Sequence, residues 1–183
     1  LVGYIFGTTD NNSSLAVTGC IGNVSVTCGS SGYAGGLIGC ASGYSSLTVS
    51  KCAALRDVLG SSANRAGILG NWMSRELTLS LSDSYFAGNA PYGITCNSRY
   101  ITPSVTAEGF YYNSAVSNLV NERTTQPTGA EGLDIDGLKN LSIDGFAVQS
   151  GKYDDFPVPI WNPAEPLTPE VPQFSCTVSF RGT

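Results

Sequence analysis

Residues 35–39 read GGLIG, and the pattern returns as GYIFG at 3–7 and AGILG at 66–70. Gly3, Gly35 and Ala66 open the three strings. Ile5, Leu37 and Ile68 coincide, as do Phe6, Ile38 and Leu69, then Gly7, Gly39 and Gly70. The starts at 3, 35 and 66 set periods of 32 and 31 residues. A second strip follows each string: SLAVTGC at 14–20, SLTVSKC at 46–52 and ELTLSLS at 76–82. It matches Leu15, Leu47 and Leu77, then Val17, Val49 and Leu79, then Cys20, Cys52 and Ser82. A partial fourth unit begins at YGITC, residues 92–96.

Strips such as LAV and LTV alternate with a period of two, so Leu and Val share one face of a strand. A unit this short cannot bury that face alone, but copies stacked on one another bury a continuous column. Equivalent residues would then sit about 4.8 Å apart in parallel strands, with glycine where the backbone turns sharply or takes positive φ. KCAALRDVLG at 51–60 has helical spacing when read alone. Its counterpart GCIGNVSVTCG is rich in β-branched residues, so the repeat predicts strands there too, with Val58 opposite Val26.

Composition agrees. Only 13% of the 183 residues are charged, against about 25% in an average domain, and glycine occurs 22 times. Such a chain suits short strands and tight turns better than long amphipathic helices. Histidine is absent, which removes the Ser-His-Asp triad, the Cys-His pair and the HExxH zinc site. Residues 1–120 balance five acids (Asp10, Asp57, Glu76, Asp83, Glu108) against five bases (Lys51, Arg56, Arg65, Arg75, Arg99). The whole net charge of −5 lies beyond them, and no basic patch exists for nucleic acid. No stretch approaches the roughly 20 apolar residues of a membrane helix, and no signal peptide is seen. Opening on LVGYIFG, already inside a patterned segment, the sequence reads as a fragment of something longer.

The AGGLIG and AGILG strings resemble the GLUG motif, a Gly-Leu-any-Gly core repeated in large secreted or surface-attached bacterial proteins. These include adhesins and non-catalytic regions of IgA-cleaving metallopeptidases. The likeness covers residues 1–96, and EGFYYNS (108–114) and GKYDDFPVPIW (151–161) look like the closing segments of such repeats. It departs from the pattern at GYIFG, which carries aromatics, and at YGITC, which lacks the final glycine. The resemblance implies a right-handed parallel β-helix, an all-β solenoid of about three to four coils. It supplies no catalytic residues.

The expected organisation is repeat coils over 1–120, an acidic C-terminal cap over 121–160, and a Pro-rich extended segment with a terminal strand over 161–183. In the cap, LDIDGLKNLSI (133–143) can form one short helix that turns Leu138 and Leu141 toward the coil end. Such a cap would cover the unpaired groups of an open end. Six of the nine prolines lie in 157–172, and FSCTVSF (174–180) then alternates Phe174, Cys176, Val178 and Phe180 on one apolar face. That strand can belong to this domain or to a following one.

Candidate chemistry is thin. In-register stacking would hold Cys20 and Cys52 parallel, so buried unpaired thiols are expected over a disulfide. The cysteine spacings fit no zinc pattern. Asp134, Asp136, Asp144, Asp154 and Asp155 are the only carboxylate cluster; their spacing is not that of a calcium loop, and a solvated acidic cap is the simpler reading. Tyr33, Tyr44, Trp72 and Tyr92 fall at or beside the expected corners, where rings could stack on sugars. No catalytic residue, metal or cofactor is expected. The chain is read as a monomeric, non-catalytic structural or adhesive module of an exported bacterial surface protein. Its partner would be a host or matrix glycan or protein. The alternatives are a polysaccharide-active β-helix enzyme and an inert spacer between flanking domains.

Overall fold

The computed structural model describes residues 14–43, 46–61, 63–73, 78–96, 104–121 and 124–160, together with the backbone of Val2–Phe6. The fold is all-β with one short helix, and the chain lays down strands in successive passes. The first pass holds β1 (Val2–Phe6), β2 (Ser14–Thr18), β3 (Ile21–Gly22) and β4 (Val26–Cys28). The second holds β5 (Ala34–Gly35), β6 (Ile38–Ser42), β7 (Ser46–Ser50), β8 (Ala53–Ala54) and β9 (Val58–Gly60). In the third are β10 (Arg65–Ala66), β11 (Leu69–Trp72) and the long β12 (Thr78–Phe86). β13 (Ser104–Asn113) and β14 (Ala130–Leu133) follow.

Each strand pairs in parallel with its counterpart in the next pass. The orders are β1-β6-β11 and β14-β13-β12-β7-β2, with β3 and β8 beside the latter, and the pairs β4–β9 and β5–β10. Isolated parallel bridges Leu69↔Thr95 and Thr95↔Val120 carry the first of these columns onward. Leu15, Leu47, Leu79 and Val105 stack in register, as do Val17, Val49, Leu81 and Ala107. The 51–60 segment forms strands, and Val58 lies opposite Val26.

Two registers differ from the expected ones. In the third pass Leu79 and Leu81, not Leu77 and Leu79, continue the Leu47 and Val49 columns; Leu77 itself lies outside the described residues. ELTLSLS has leucine at every second place, so a slip of two keeps the same face inward and the string cannot set its own register. Ser84, not Ser82, therefore stands beside Cys52. In the first pass Val2 pairs with Ile38 and Tyr4 with Cys40, so GYIFG sits four residues further along than its glycines suggest. The third string aligns as expected, with Ala66 beside Gly35 and Leu69 beside Ile38. Past residue 97 the period shortens without ending: β13 lies 26 residues beyond β12, and β14 lies 20 beyond β13.

The glycines of the strings serve close approach, and none of Gly35, Gly36, Gly67 and Gly70 has positive φ. A Cβ on Gly36 would lie 2.3 Å from the Gly67 carbonyl oxygen, and one on Gly67 would lie 2.4 Å from that of Gly93. Positive φ recurs elsewhere, at Gly19 (66°), Lys51 (50°), Asp83 (46°), Gly109 (63°) and Gly129 (87°). These are equivalent places in consecutive passes. A left-handed residue there shifts the alternation by one. Leu47 and Val49 face the inner core before Lys51; Cys52 and Ala54 face it afterwards.

Among the described residues, the chain beyond β14 does not cap an end of the stack. Helix α1 (Ile135–Lys139), β15 (Phe146–Val148) and β16 (Pro157–Pro159), an antiparallel pair with β15, lie along the flank of the large sheet. Leu138, Ile143, Phe156 and Val158 form a second core with Ala53, Leu55, Tyr85 and Ala87, and Leu141 packs at its border. The Tyr85 hydroxyl donates to the Pro157 carbonyl at 2.5 Å, Lys51 pairs with Asp144 at 3.1 Å, and Arg56 pairs with Asp154. The expected cap helix is real, but it is a side strap. Adjacent apolar residues on and directly after β8 and β12, such as Ala53-Ala54-Leu55 and Tyr85-Phe86-Ala87, are what bury both faces of the sheet. The Pro-rich segment and terminal strand expected over 161–183 lie outside the described residues.

Candidate functional site

The strap and the edge of the stack enclose an open cleft of about 560 Å³. Three levels of one bend line its wall: Ser25, Asp57 and Asn89, set 32 residues apart. The strap contributes Ile135 and Lys139 from α1, with Asp154 and Phe156 from the turn before β16.

Asp57 Oδ1 accepts from the Asn89 backbone N–H at 2.8 Å and from its side-chain amide at 3.2 Å. Arg56 Nε donates to Asn23 Oδ1 at 2.9 Å, while Nη1 donates to Asp154. That hydrogen bond and the guanidinium charge hold the Asp154 carboxyl below the usual carboxylate range. It is a fixed anion at neutral pH and is unsuited to act as a general acid. Asn113 spends its amide on the Ala87 and Gly88 carbonyls and its oxygen on the Ala115 N–H. Lys139 Nζ sits 5.4 Å from the centre of the buried Phe156 ring, a cation–π contact.

The turn carrying Asp154 is costly. Tyr153, Asp154 and Asp155 take φ of 53°, 52° and 62° in succession, each about 1–2 kcal/mol less favourable than a right-handed residue. Asp155 Oδ1 accepts the Gly151 N–H at 3.1 Å, and burial of Phe156 directly after the turn offsets part of the strain.

The candidate sugar-stacking rings differ in their access to solvent. Trp72 is 4% exposed and lies in the inner core, so it offers no ring to solvent. Tyr33 is 37% exposed, Tyr92 is half-buried, and neither lines the cleft; Tyr44 lies outside the described residues. The acidic residues are spent singly. Asp134 caps α1 by accepting the Gly137 N–H, Asp144 holds Lys51, and Asp154 holds Arg56. Among the described residues no group of three or more His, Cys, Asp or Glu side chains could hold a metal ion.

The described cysteines are unpaired thiols. Burial pushes those of Cys40, Cys52 and Cys96 up to about 11, which makes them poor nucleophiles, while Cys20 is exposed and Cys28 half-buried. Cys52 is more than an apolar filler. Its sulfur accepts the Cys20 N–H at 3.4 Å and donates to the Ser50 carbonyl at 3.1 Å. One pass later Ser84 Oγ does the same, taking the Cys52 N–H at 3.0 Å and giving to Ser82 at 2.7 Å.

Arg56, Asp57, Asn89 and Lys139 were not singled out by the sequence as site residues, and Asp154 only as a member of the acidic cluster. Asp57 and Asn89 carried a signal, two polar residues one period apart; Arg56 and Asp154, 98 residues apart, carried none. No protein-family model matches the chain, and no curated protein or solved structure matches it either. No helix among the described residues is long and apolar enough to cross a membrane.

Proposed function

We propose that the chain is a right-handed parallel β-helix of the GLUG-repeat type. On this reading it is a non-catalytic structural or adhesive module of an exported bacterial surface protein. The observation that carries it is the unbroken parallel register of the Leu15 and Val17 columns through four strands. Such stacking makes a stiff body with regular flanks, suited to displaying a surface to a host or matrix glycan or protein. The cleft supports the non-catalytic half: Asp154 is paired with Arg56, Asp57 Oδ1 accepts from Asn89, and the Asn113 amide N–H groups are spent on the Ala87 and Gly88 carbonyls.

The test is a binding screen of the whole chain against glycans and matrix proteins. Saturable binding is expected, weakened by Arg56→Ala or Lys139→Ala if the cleft is the contact. No binding at high micromolar concentration would leave only a structural role. Release of reducing ends or unsaturated sugars from pectin, alginate or glycosaminoglycan would contradict the reading in favour of a polysaccharide-active enzyme.

A further inference from the structure

Two thiols meet at the bend between β2 and β3. Thr18 pairs with Ser50 and Ile21 with Ala53, so Cys20 lies one pass before Cys52 in the same register. That pairing holds their Cα atoms about 4.8 Å apart, inside the roughly 4.4–6.8 Å that a disulfide spans. Parallel stacking alone would leave the two sulfurs pointing the same way. The Cys52 side chain instead leans into the first pass. Its sulfur accepts the Cys20 N–H at 3.4 Å and lies 3.5 Å from the Val17 carbonyl oxygen. The Cys20 sulfur lies 3.5 Å from the next carbonyl oxygen, that of Thr18. Both sulfurs therefore gather on one short piece of first-pass backbone. Burial pushes the Cys52 thiol up to about 11, and the neighbouring Cys20 side chain adds to the rise through charge and hydrogen bonding.

The two thiols differ in access. Cys20 is exposed, whereas Cys52 is 0% exposed and belongs to the inner core. A small reagent in solvent reaches the first and not the second.

We propose that Cys20 and Cys52 form a redox pair, closed to an intrachain disulfide by a low-molecular-weight disulfide such as oxidised glutathione. Cys20, as the thiolate, attacks one sulfur of the reagent, forming a mixed disulfide and releasing one small thiol. Cys52 then gives up its proton and attacks the Cys20 sulfur. The Cys20–Cys52 bond forms, the mixed disulfide breaks, and the second small thiol leaves. Two protein thiols are oxidised, and the reagent is reduced to two thiols that carry both protons away. Burial of Cys52 makes the second step the slow one.

The bond staples the first pass to the second beside the β2–β7 pairing. The strand spacing slightly exceeds the Cβ separation of about 3.5–4.5 Å that a disulfide prefers, so the half-buried first pass must give by a few tenths of an ångström. A bond under that strain is readily reduced again, which makes the pair a reversible lock.

The test incubates the folded full chain with excess oxidised glutathione, alkylates the remaining thiols and maps the peptides. The Cys20 and Cys52 peptides should be joined within one chain, and reduced glutathione should part them. In Cys20→Ser, Cys52 should remain a free thiol; Cys52→Ser should stop at a glutathione adduct on Cys20. The proposal is overturned if the wild type leaves Cys20 unreacted, stops at that adduct, links Cys20 to another cysteine, or joins the pair only in urea. Amide exchange at Ser14–Thr18 should slow at least about tenfold on oxidation, and unchanged exchange there would refute the lock.

Discussion

The left-handed ladder of Gly19, Lys51, Asp83, Gly109 and Gly129 makes backbone conformation, rather than any side chain, the feature common to every pass. A branched side chain at such a place meets its own carbonyl, at about 1–2 kcal/mol. Gly109→Val should therefore cost about that much, since its Cβ would make only ordinary contact, 3.4 Å from Asp83 N and Oδ1, and the backbone conformation alone sets the loss. Gly109→Asn, which tolerates the conformation, should cost clearly less. Urea unfolding of the two variants checks the order, and equal losses would contradict the ladder. The thiol and hydroxyl relay at the same bend gives a second prediction. Ser84→Ala strands the buried Cys52 N–H and should cost about 1–3 kcal/mol, while Cys52→Ser, copying the next pass, should change the urea midpoint little. Equal losses for both would mean that the relay carries no weight.

At the scale of elements, the Gln126 amide and the strap are the two devices that the repeat does not explain. Gln126 Oε1 takes the N–H groups of Leu119 and Val120 at 3.2 and 3.4 Å, and its Nε2 donates to the Val120 carbonyl at 2.9 Å, as a peptide group would. Gln126→Leu keeps the volume but orphans two N–H groups and a carbonyl. Amide exchange at Leu119 and Val120 should rise, with Ser46–Ser50 unaffected; unchanged exchange at Leu119 would contradict the capping role. The strap brings an acid dependence. Arg56 lowers the Asp154 carboxyl in the folded chain, so its contribution is complete above the ordinary value of 3.8 and is lost as pH falls through the lowered one. The melting-temperature gap between wild type and Asp154→Asn should be present at pH 7 and close below about pH 4; a gap that persists would sink this pairing. Neither device was wholly legible in the sequence. Gln126 sits in TTQPTG, outside the repeat, and a side chain replacing a peptide group leaves no periodic mark. The strap was legible as an element, through LDIDGLKN, but not in position, because one apolar face per strand was assumed. Tyr85-Phe86-Ala87 shows two.

For the whole molecule, the inner columns were legible because they rest on two periods, two along the strand and 32 between passes. The slip of the third pass by two residues marks the limit, since a string with leucine at every second place cannot fix its own register. The shorter later passes escaped because a period search fails once loops contract while strands stay in line. The cleft was half legible: Asp57 and Asn89 lie in the repeat, whereas Arg56, Lys139 and Asp154 meet only when the strap lies along the flank. One NMR measurement tests the stacking most directly: methyl–methyl Overhauser contacts from Leu47. They should reach both Leu15 and Leu79, one on each side. Contacts to Leu77 in place of Leu79, or to neither neighbouring pass, would contradict the account.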